Sequence, residues 1–199
     1  MEYIGHLSKD KKLKLLIETH GPFKLKKEKN ICLFLCYSIM SQQLSTKVVK
    51  VFHQRFIDLF SGKEPTAHQI ASTKFETLRA IGLSNAKASY VLNVANFEIE
   101  KGMGNTILGK MSNEEVIAYL TEIKGVGRWT VEMLLMFALG REDVFSPDDL
   151  GIQTAMIKIY KMNYQDKKEL LSKMKKKAEK WAPYRTFACL YLWRYKDVK

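Results

Sequence analysis

Apolar residues recur at helical spacing in almost every segment of this chain, and this pattern restricts the fold more than any other feature. Residues 8–18, 30–60 and 112–120 carry apolar side chains three or four positions apart, as on one face of an α-helix. Residues 129–139 are apolar on nearly all sides, which indicates a buried helix that ends at Gly140. No segment alternates apolar and polar residues like a half-buried strand, and no long repeat occurs. The sequence therefore predicts an all-α fold.

Length and charge suggest a partner class without deciding it. The chain has 199 residues, 46% of them hydrophobic, which is enough for one compact unit or for two small lobes. Its 33 Lys and Arg against 21 Asp and Glu give a net charge of +12. Such a balance favours a polyanion such as nucleic acid, because each neutralised phosphate releases counterions. A lysine-rich surface that only maintains solubility explains the balance equally well.

The cysteines lie in apolar runs, at Cys32, Cys36 and Cys189, and we interpret them as reduced core thiols. The four-cysteine spacing of an iron–sulfur cluster is absent, as are the paired motifs of a zinc site, so we expect neither. The first residues lack the pattern of a secretory signal, and no apolar run of about 18 residues occurs. We therefore expect a protein of the cytoplasm and nucleoid, or of the nucleus, that is neither secreted nor bound to a membrane.

A sharp turn between two predicted helices is the most distinctive local motif. In Ile123-Lys-Gly-Val-Gly-Arg-Trp-Thr130 two glycines stand two positions apart. Glycine permits a turn too tight for a Cβ and lets the backbone approach a ligand closely. The N–H groups that begin the next helix are suited to a phosphate. The same glycines fit a compact helix–helix turn with no ligand, and both interpretations stay open on this motif alone.

A further helix start follows about twenty residues later, at residues 146–149, Ser-Pro-Asp-Asp. Ser146 is predicted as the N-cap and Pro147 as the first helical residue, with two acidic residues in the first turn. Asp149 then fits the third position of a capping box with Ser146. Asp148 and Asp149 both lie close to the apolar stripe that begins at Ile152, so spacing alone does not choose between them as a functional carboxylate.

Five motifs in a fixed order resemble the helix-hairpin-helix DNA glycosylases, and most nearly the 3-methyladenine DNA glycosylase II family. They cover most of residues 31–195 and are SQQLS (41–45), GLSNAKASYVLNVA (82–95), IKGVGRWT (123–130), VFSPDDLGI (144–152) and WAPYRTFACLYLW (181–193). The resemblance implies excision of alkylated bases, of the 3-methyladenine and 7-methylguanine type, from duplex DNA after the base is flipped out.

The resemblance also assigns the catalytic carboxylate. In that family's pattern it is the second Asp of the pair, here Asp149, whereas Asp148 and Ser146 brace the helix start. A carboxylate beneath the sugar stabilises the oxocarbenium-like transition state and orients water. A single carboxylate suffices because an N-alkylated purine already carries positive charge and needs no general acid to leave.

Aromatic residues are expected to bind the flipped base. By resemblance these are Trp129, Trp181 and Tyr184, with Met133 one turn after Trp129, and cation–π attraction suits a cationic base. Each aromatic side chain could instead belong to the core. Relatives that also cut the strand carry a Lys in the position of Trp129, where its amine forms a Schiff base. Trp cannot do so, and we expect no strand cleavage.

The resemblance implies three kinds of DNA contact. Gln43 or Leu44 in the SQQLS turn fills the space left by the flipped base, although a polar helix–helix turn explains this segment equally well. The hairpin residues Lys124, Gly125, Val126, Gly127 and Arg128 contact the backbone. The main-chain carbonyls of Thr121, Ile123 and Val126 hold a structural Na⁺ or K⁺, and no other cofactor is expected.

The expected architecture has two helical lobes with the active-site groove between them. Residues 31–130 form one lobe with the hairpin, and residues 1–30 with 131–199 form the other, which carries the catalytic Asp. We expect a monomer that acts on double-stranded DNA. Two alternatives remain at this stage: a glycosylase for another damaged or mismatched base, and a non-catalytic helix-hairpin-helix module that only binds DNA.

Overall fold

The computed structural model describes residues 1–197 and is helical throughout, with no strand in that range. The α-helices are α1 (Glu2–Leu7), α2 (Lys11–His20), α3 (Ile31–Ser41), α4 (Thr46–Asp58), α5 (Ala67–Ala71), α6 (Phe75–Ala80), α7 (Asn85–Glu100), α8 (Asn105–Leu108), α9 (Asn113–Leu120), α10 (Arg128–Phe137), α11 (Leu150–Tyr160), α12 (Lys167–Ala178) and α13 (Arg185–Asp197), with a 3₁₀ helix at Glu179–Trp181. The predicted all-α class is confirmed. No helix of the described residues is long and apolar enough to span a membrane.

The chain divides into two compact units. The continuous unit is Lys27–Leu134, and the discontinuous unit joins Met1–Lys26 to Leu135–Lys199. Each boundary lies four residues from the one expected from the sequence. The hairpin belongs to the continuous unit, and Asp149 belongs to the discontinuous unit.

In the continuous unit, α7 packs against α3, α5 and α6. Helix α3 begins where the side chain of Asn30 accepts a hydrogen bond from the Leu33 N–H at 3.0 Å, and most of its residues are buried. Cys32 and Cys36 are buried free thiols in this helix, as predicted. The sequence Ser-Asn-Glu-Glu at residues 112–115 predicts a capping box. The box is present at the start of α9, where Ser112 and Glu115 exchange hydrogen bonds.

In the discontinuous unit, α13 packs against α11 and α2. Two tyrosines tie the N-terminal segment to this helix. The Tyr191 hydroxyl donates to the Gly21 carbonyl at 2.8 Å, and the Tyr3 ring stacks on Phe187 with centroids 3.8 Å apart. Because proline is favoured at the first position of a helix, the sequence predicts that this helix starts at Pro183, but it begins at Arg185.

Candidate active site

The hairpin between α9 and α10 depends on the first glycine of its motif. Gly125 has φ of +105°, a conformation that other residues rarely adopt. A Cβ built on Gly125 would lie 2.2 Å from the ring of Tyr90, which packs directly beneath the turn. The N–H of Val126 donates to the Ile123 carbonyl at 2.9 Å and closes the turn. Gly125 is therefore required by the fold of the hairpin itself.

The second glycine stands in different surroundings. A Cβ on Gly127 would have no atom within 4 Å, and its φ lies outside the left-handed region. Gly127 is exposed and immediately precedes α10, whose first-turn N–H groups have no acceptor within the helix. Because the fold does not require glycine here, its open side suits close approach of a ligand that accepts hydrogen bonds.

Arg128, which is predicted to contact DNA, forms ion pairs with two carboxylates of its own unit. Its guanidinium donates to both carboxylate oxygens of Glu114, at 2.6 and 3.0 Å, and its Nε donates to Glu132 at 3.0 Å. These carboxylates, Glu114 first, raise the pKa of Arg128. Glu132 is only 2% exposed, so Arg128 compensates a buried charge and holds α10 to α9. Lys124, in contrast, is exposed, and its carbonyl accepts from the Asn93 side chain at 3.1 Å.

The continuous unit contains a half-open cavity of about 650 Å³ beside the start of α10. It is lined by Trp129, which is 45% exposed, and by Met133, the two residues of α10 that are predicted to contact the base. No lining residue carries a formal charge at neutral pH; the full lining is Phe34, Tyr37, Ser38, Ser41, Gln42, Gln43, His53, Trp129, Thr130 and Met133. Such a wall of aromatic and neutral polar groups suits a flat, apolar or cationic ring.

One wall of this cavity is a stacked pair that the sequence analysis missed. The rings of Tyr37 and His53 lie 4.0 Å apart and nearly parallel. The Ser41 hydroxyl donates to the Tyr37 carbonyl at 2.6 Å and so accepts from Nε2 of His53 at 3.1 Å. Burial lowers the pKa of His53, which keeps the imidazole neutral. The four-residue spacing of Tyr37 and Ser41 indicates that these two side chains share one face of α3. The contact with His53 was not predictable in this way, because His53 lies on α4.

The turn between α3 and α4, residues 42–45, borders the same cavity. The helix–helix turn predicted in the SQQLS segment is confirmed, because α3 ends at Ser41 and α4 begins at Thr46. Gln43 is exposed and has φ of +60°, whereas Leu44 is half-buried. The ammonium group of Lys87, on α7, donates to the carbonyls of Met40 and Gln42 at 2.9 and 2.7 Å. Lys87 thereby fixes the turn that presents both wedge candidates.

In the discontinuous unit, Asp149 is the N-cap of α11. Its Oδ1 accepts from the Ile152 N–H at 2.9 Å and from the Trp193 indole N–H at 2.8 Å. A Cβ on Gly151 would lie 3.0 Å from both this oxygen and the Trp193 ring, so glycine makes room for the pair. The positive end of the helix dipole also favours a carboxylate in this position. Asp149 is thus a fixed, partly exposed anion, and Trp193 is a partner that the sequence analysis did not name.

The predicted N-cap at Ser146 is wrong, whereas the bracing roles of Ser146 and Asp148 stay predictions. Ser146 is fully buried and does not cap, because the helix begins three residues later than predicted, at Leu150. Asp148 is exposed and forms an ion pair with Lys167 at 3.2 Å. Several residues of this stretch are able to cap a helix, and Asp149 is the one that also meets Trp193.

Two aromatic residues predicted to bind the base belong to other contacts in the discontinuous unit. Trp181 is 1% exposed, and its indole N–H donates to Asp10 at 3.3 Å. A ring buried in this way has no free face for a base. The Tyr184 hydroxyl donates to Glu2 at 3.1 Å, and its ring packs edge-on against His6. The prediction for Trp181 is therefore corrected, whereas that for Tyr184 stays a prediction.

Comparison with known proteins identifies the family. Residues 36–183 match the family described as HhH-GPD superfamily base excision DNA repair protein. This chain belongs to that superfamily. A relative within it is DNA-3-methyladenine glycosylase 1 of Schizosaccharomyces pombe, which is 36% identical over 187 residues, or 92% of this chain and 80% of the relative.

Solved structures of HhH-GPD relatives have the same fold. The S. pombe 3-methyladenine DNA glycosylase, solved in complex with abasic DNA, has a TM-score of 0.86 at 34% identity, covering 100% of this chain and 98% of that one. The DNA-3-methyladenine glycosidase of Bacillus halodurans has a TM-score of 0.84 at 35% identity, covering 97% and 88%. The family resemblance stated from the sequence is therefore confirmed.

The two hairpin glycines of this HhH-GPD protein give a matched test. We expect Gly125→Ala to lower the free energy of unfolding by about 2–4 kcal/mol, because it adds left-handed strain and a clash with Tyr90. Gly127→Ala should change stability by no more than about 0.5 kcal/mol and should lower DNA affinity about tenfold by blocking backbone approach. Urea unfolding and fluorescence anisotropy measure the two effects. Equal loss of stability in both variants would contradict the assignment.

The contribution of the Arg128 ion pairs to stability is tested beside Lys124. Arg128→Gln should destabilise the protein by about 1–3 kcal/mol, since the buried carboxylate of Glu132 loses its ion pair with the Arg128 guanidinium. Lys124→Gln removes the same charge from an exposed site and should leave the unfolding midpoint almost unchanged. Chemical denaturation of the two variants side by side decides the point, and a stable Arg128→Gln protein would show that the ion pairs do not support the fold.

Proposed function

We propose that this protein is a monofunctional DNA glycosylase that removes alkylated bases from double-stranded DNA by hydrolysing the N-glycosidic bond. The observation that carries the proposal is the carboxylate of Asp149, fixed at the start of α11 by the Ile152 N–H and the Trp193 indole. Support also comes from relatives that are named as 3-methyladenine DNA glycosylases. The proposed substrates are bases of the 3-methyladenine and 7-methylguanine type.

In this mechanism the bond from C1′ to the base nitrogen breaks first. Its electron pair leaves with the base and neutralises the positive charge that alkylation had placed there. The sugar becomes oxocarbenium-like, and the Asp149 carboxylate stabilises that positive charge. Water then bonds to C1′ and passes a proton to the carboxylate. Because one oxygen of Asp149 already accepts two hydrogen bonds, the carboxylate does not have to reorient as charge develops.

The base itself requires an uncharged, aromatic environment. In this proposal it leaves the duplex, and Trp129, Met133 and the Tyr37 ring contact it in the uncharged cavity. Gln43 or Leu44 occupies the vacated space in the DNA stack. The nitrogen of Trp129 contributes its lone pair to the aromatic ring and cannot form a Schiff base, so the DNA strand stays intact. The protein acts as a monomer.

The proposal is tested with Asp149→Asn and the neighbouring Asp148→Asn. Asparagine retains an oxygen that caps α11, so the fold persists, while loss of the negative charge should reduce release of methylated bases by about 100- to 1,000-fold. Asp148→Asn makes the same chemical change at an exposed ion pair and should leave release unchanged. The measurement is chromatography of free bases from methylated duplex DNA, with strand integrity followed on the same samples.

Three results would change the proposal. Strand cleavage by the wild-type protein before alkali treatment would overturn the role of Trp129. Release of an oxidised or mismatched base in place of alkylated ones would favour a different substrate. DNA binding without any base release would favour a non-catalytic module.

We also propose that a Na⁺ or K⁺ ion binds the main-chain carbonyls of Thr121, Ile123 and Val126. The Ile123 carbonyl accepts one hydrogen bond, from Val126, and retains a second lone pair. Carbonyl oxygens suit weakly charged cations, and within residues 1–197 no group of three or more His, Cys, Asp and Glu side chains could hold a metal. The ion would supply positive charge for a phosphate at the hairpin.

Replacing Na⁺ and K⁺ by choline at constant ionic strength tests this ion. We expect a lower melting temperature and weaker DNA binding in choline, and recovery when K⁺ is restored. A hairpin that needs no ion would give the same melting temperature and affinity in all three salts.

A further inference from the structure

The positive charge of this protein lies mainly outside the unit that carries the hairpin. The continuous unit has 13 Lys and Arg against 10 Asp and Glu, a net charge of +3. The discontinuous unit has 20 against 11, a net charge of +9. The hairpin and its cavity therefore leave most of the basic character of the chain unexplained.

Part of that charge lines a second cavity, of about 500 Å³, within the discontinuous unit. It lies where the start of α2 meets the end of α12 and the 3₁₀ helix. Five lysines contribute to its wall, and Asp10 is the one carboxylate among the described lining residues; the lining is His6, Leu7, Lys9, Asp10, Lys11, Lys12, Tyr160, Lys177, Lys180 and Trp181.

The charge of Asp10 is already compensated. Its carboxylate caps α2 by accepting from the Lys12 N–H at 3.0 Å, and it pairs with the Lys177 ammonium group at 2.7 Å. It also accepts from the Tyr160 hydroxyl at 3.1 Å and from the Trp181 indole. Its side chain is 11% exposed. Asp10 and Lys177 therefore form a rigid floor of the cavity with no net charge.

The other four lysines have no such compensation. Lys9, Lys11, Lys12 and Lys180 are exposed, and none forms an ion pair with another described residue. Like charges gathered around one concave surface repel each other, which disfavours a purely structural role. The exposed Lys175 and Lys176 extend the positive surface along α12. A concave site with a surplus of ammonium groups and few acceptors matches a polyanion bearing phosphates.

We propose that this lysine-lined cavity binds phosphates of the DNA backbone and is a second DNA contact, additional to the hairpin. The inference rests on the proposed function, since it takes DNA as the partner. Its ammonium groups make point-charge contacts that tolerate any sequence, and they add affinity without reading bases. The hairpin unit, with its small net charge, then depends on this surface for much of its attraction to DNA.

The test removes three of the exposed lysines in the variant Lys11→Gln/Lys12→Gln/Lys180→Gln. The matched control, Lys24→Gln/Lys26→Gln/Lys158→Gln, removes the same charge from exposed sites of the same unit outside the cavity. Binding to a long duplex is measured by anisotropy over a range of salt concentrations. Thermal unfolding checks that both variants fold, as expected for exposed side chains.

We expect the plot of log affinity against log salt to become shallower by roughly 2–3 in the cavity variant, at about 0.9 for each lost phosphate contact. Raising salt from about 50 to about 200 mM lowers the affinity of each protein for DNA by some factor. For the cavity variant this factor should be roughly 40 times smaller than for the wild type. The control should retain the wild-type slope. Equal slopes in all three proteins would overturn the proposal. Binding of inorganic phosphate is measured by calorimetry on the same proteins. If the cavity variant lost phosphate binding but bound DNA like the wild type, the proposal would also be overturned.

Base release from methylated duplex is measured on the same wild-type samples, which separates the two proposals. Release together with an unchanged slope in the cavity variant would retain the proposed function and overturn the second contact. A shallower slope without any release would retain the second contact and overturn the proposed chemistry.

Discussion

The carboxylate of Asp149 begins the helix that holds it, and the proposed chemistry depends on this constraint. One oxygen accepts both the Ile152 N–H and the Trp193 indole N–H, so the side chain is oriented by α11 and by α13 at once. Glycine at position 151 gives both partners room, since a Cβ there would lie 3.0 Å from each of them. Gly125 serves the hairpin in a similar way by admitting the Tyr90 ring. At both places the absence of a Cβ atom lets neighbouring groups pack closely: the Asp149 and Trp193 side chains at Gly151, and the Tyr90 ring at Gly125.

The two units provide different kinds of attraction to a nucleic acid. The continuous unit offers a tight hairpin, the N–H groups that begin α10 and an uncharged cavity, all of which act over hydrogen-bond distances. The discontinuous unit offers an excess of nine positive charges, whose attraction extends over about 8 Å in physiological salt. Keeping formal charge out of the cavity wall also has a chemical consequence. In the proposed mechanism, a cationic base would meet aromatic faces there and no carboxylate that would stabilise it before the bond breaks.

Local features were predictable because their causes lie within a few residues. The capping box of Ser112 and Glu115, the break after Ser41 and the hairpin at Gly125 and Gly127 follow from nearest-neighbour hydrogen bonds and backbone preferences. The start of α11 was predicted incorrectly for a related reason. Ser146 and Asp149 are both good capping residues, and the choice between them involves Trp193, which lies 44 residues away in the chain. The ion pair of Arg128 with Glu114 was not predicted, because the two residues are 14 positions apart in the chain.

The sequence by itself determined the helical class, the hairpin, the family and the carboxylate that the family pattern assigns. These depend on periodicity, on glycine positions and on the order of motifs, all of which can be read along the chain. Only the tertiary structure decided which side chains meet. It buried Trp181 against Asp10, paired Tyr37 with His53, gave Asp149 its indole partner and gathered lysines from α2 and α12 around one cavity. The physical reason is that side-chain packing and ion pairing depend on distance in space, whereas helix formation depends on distance along the chain.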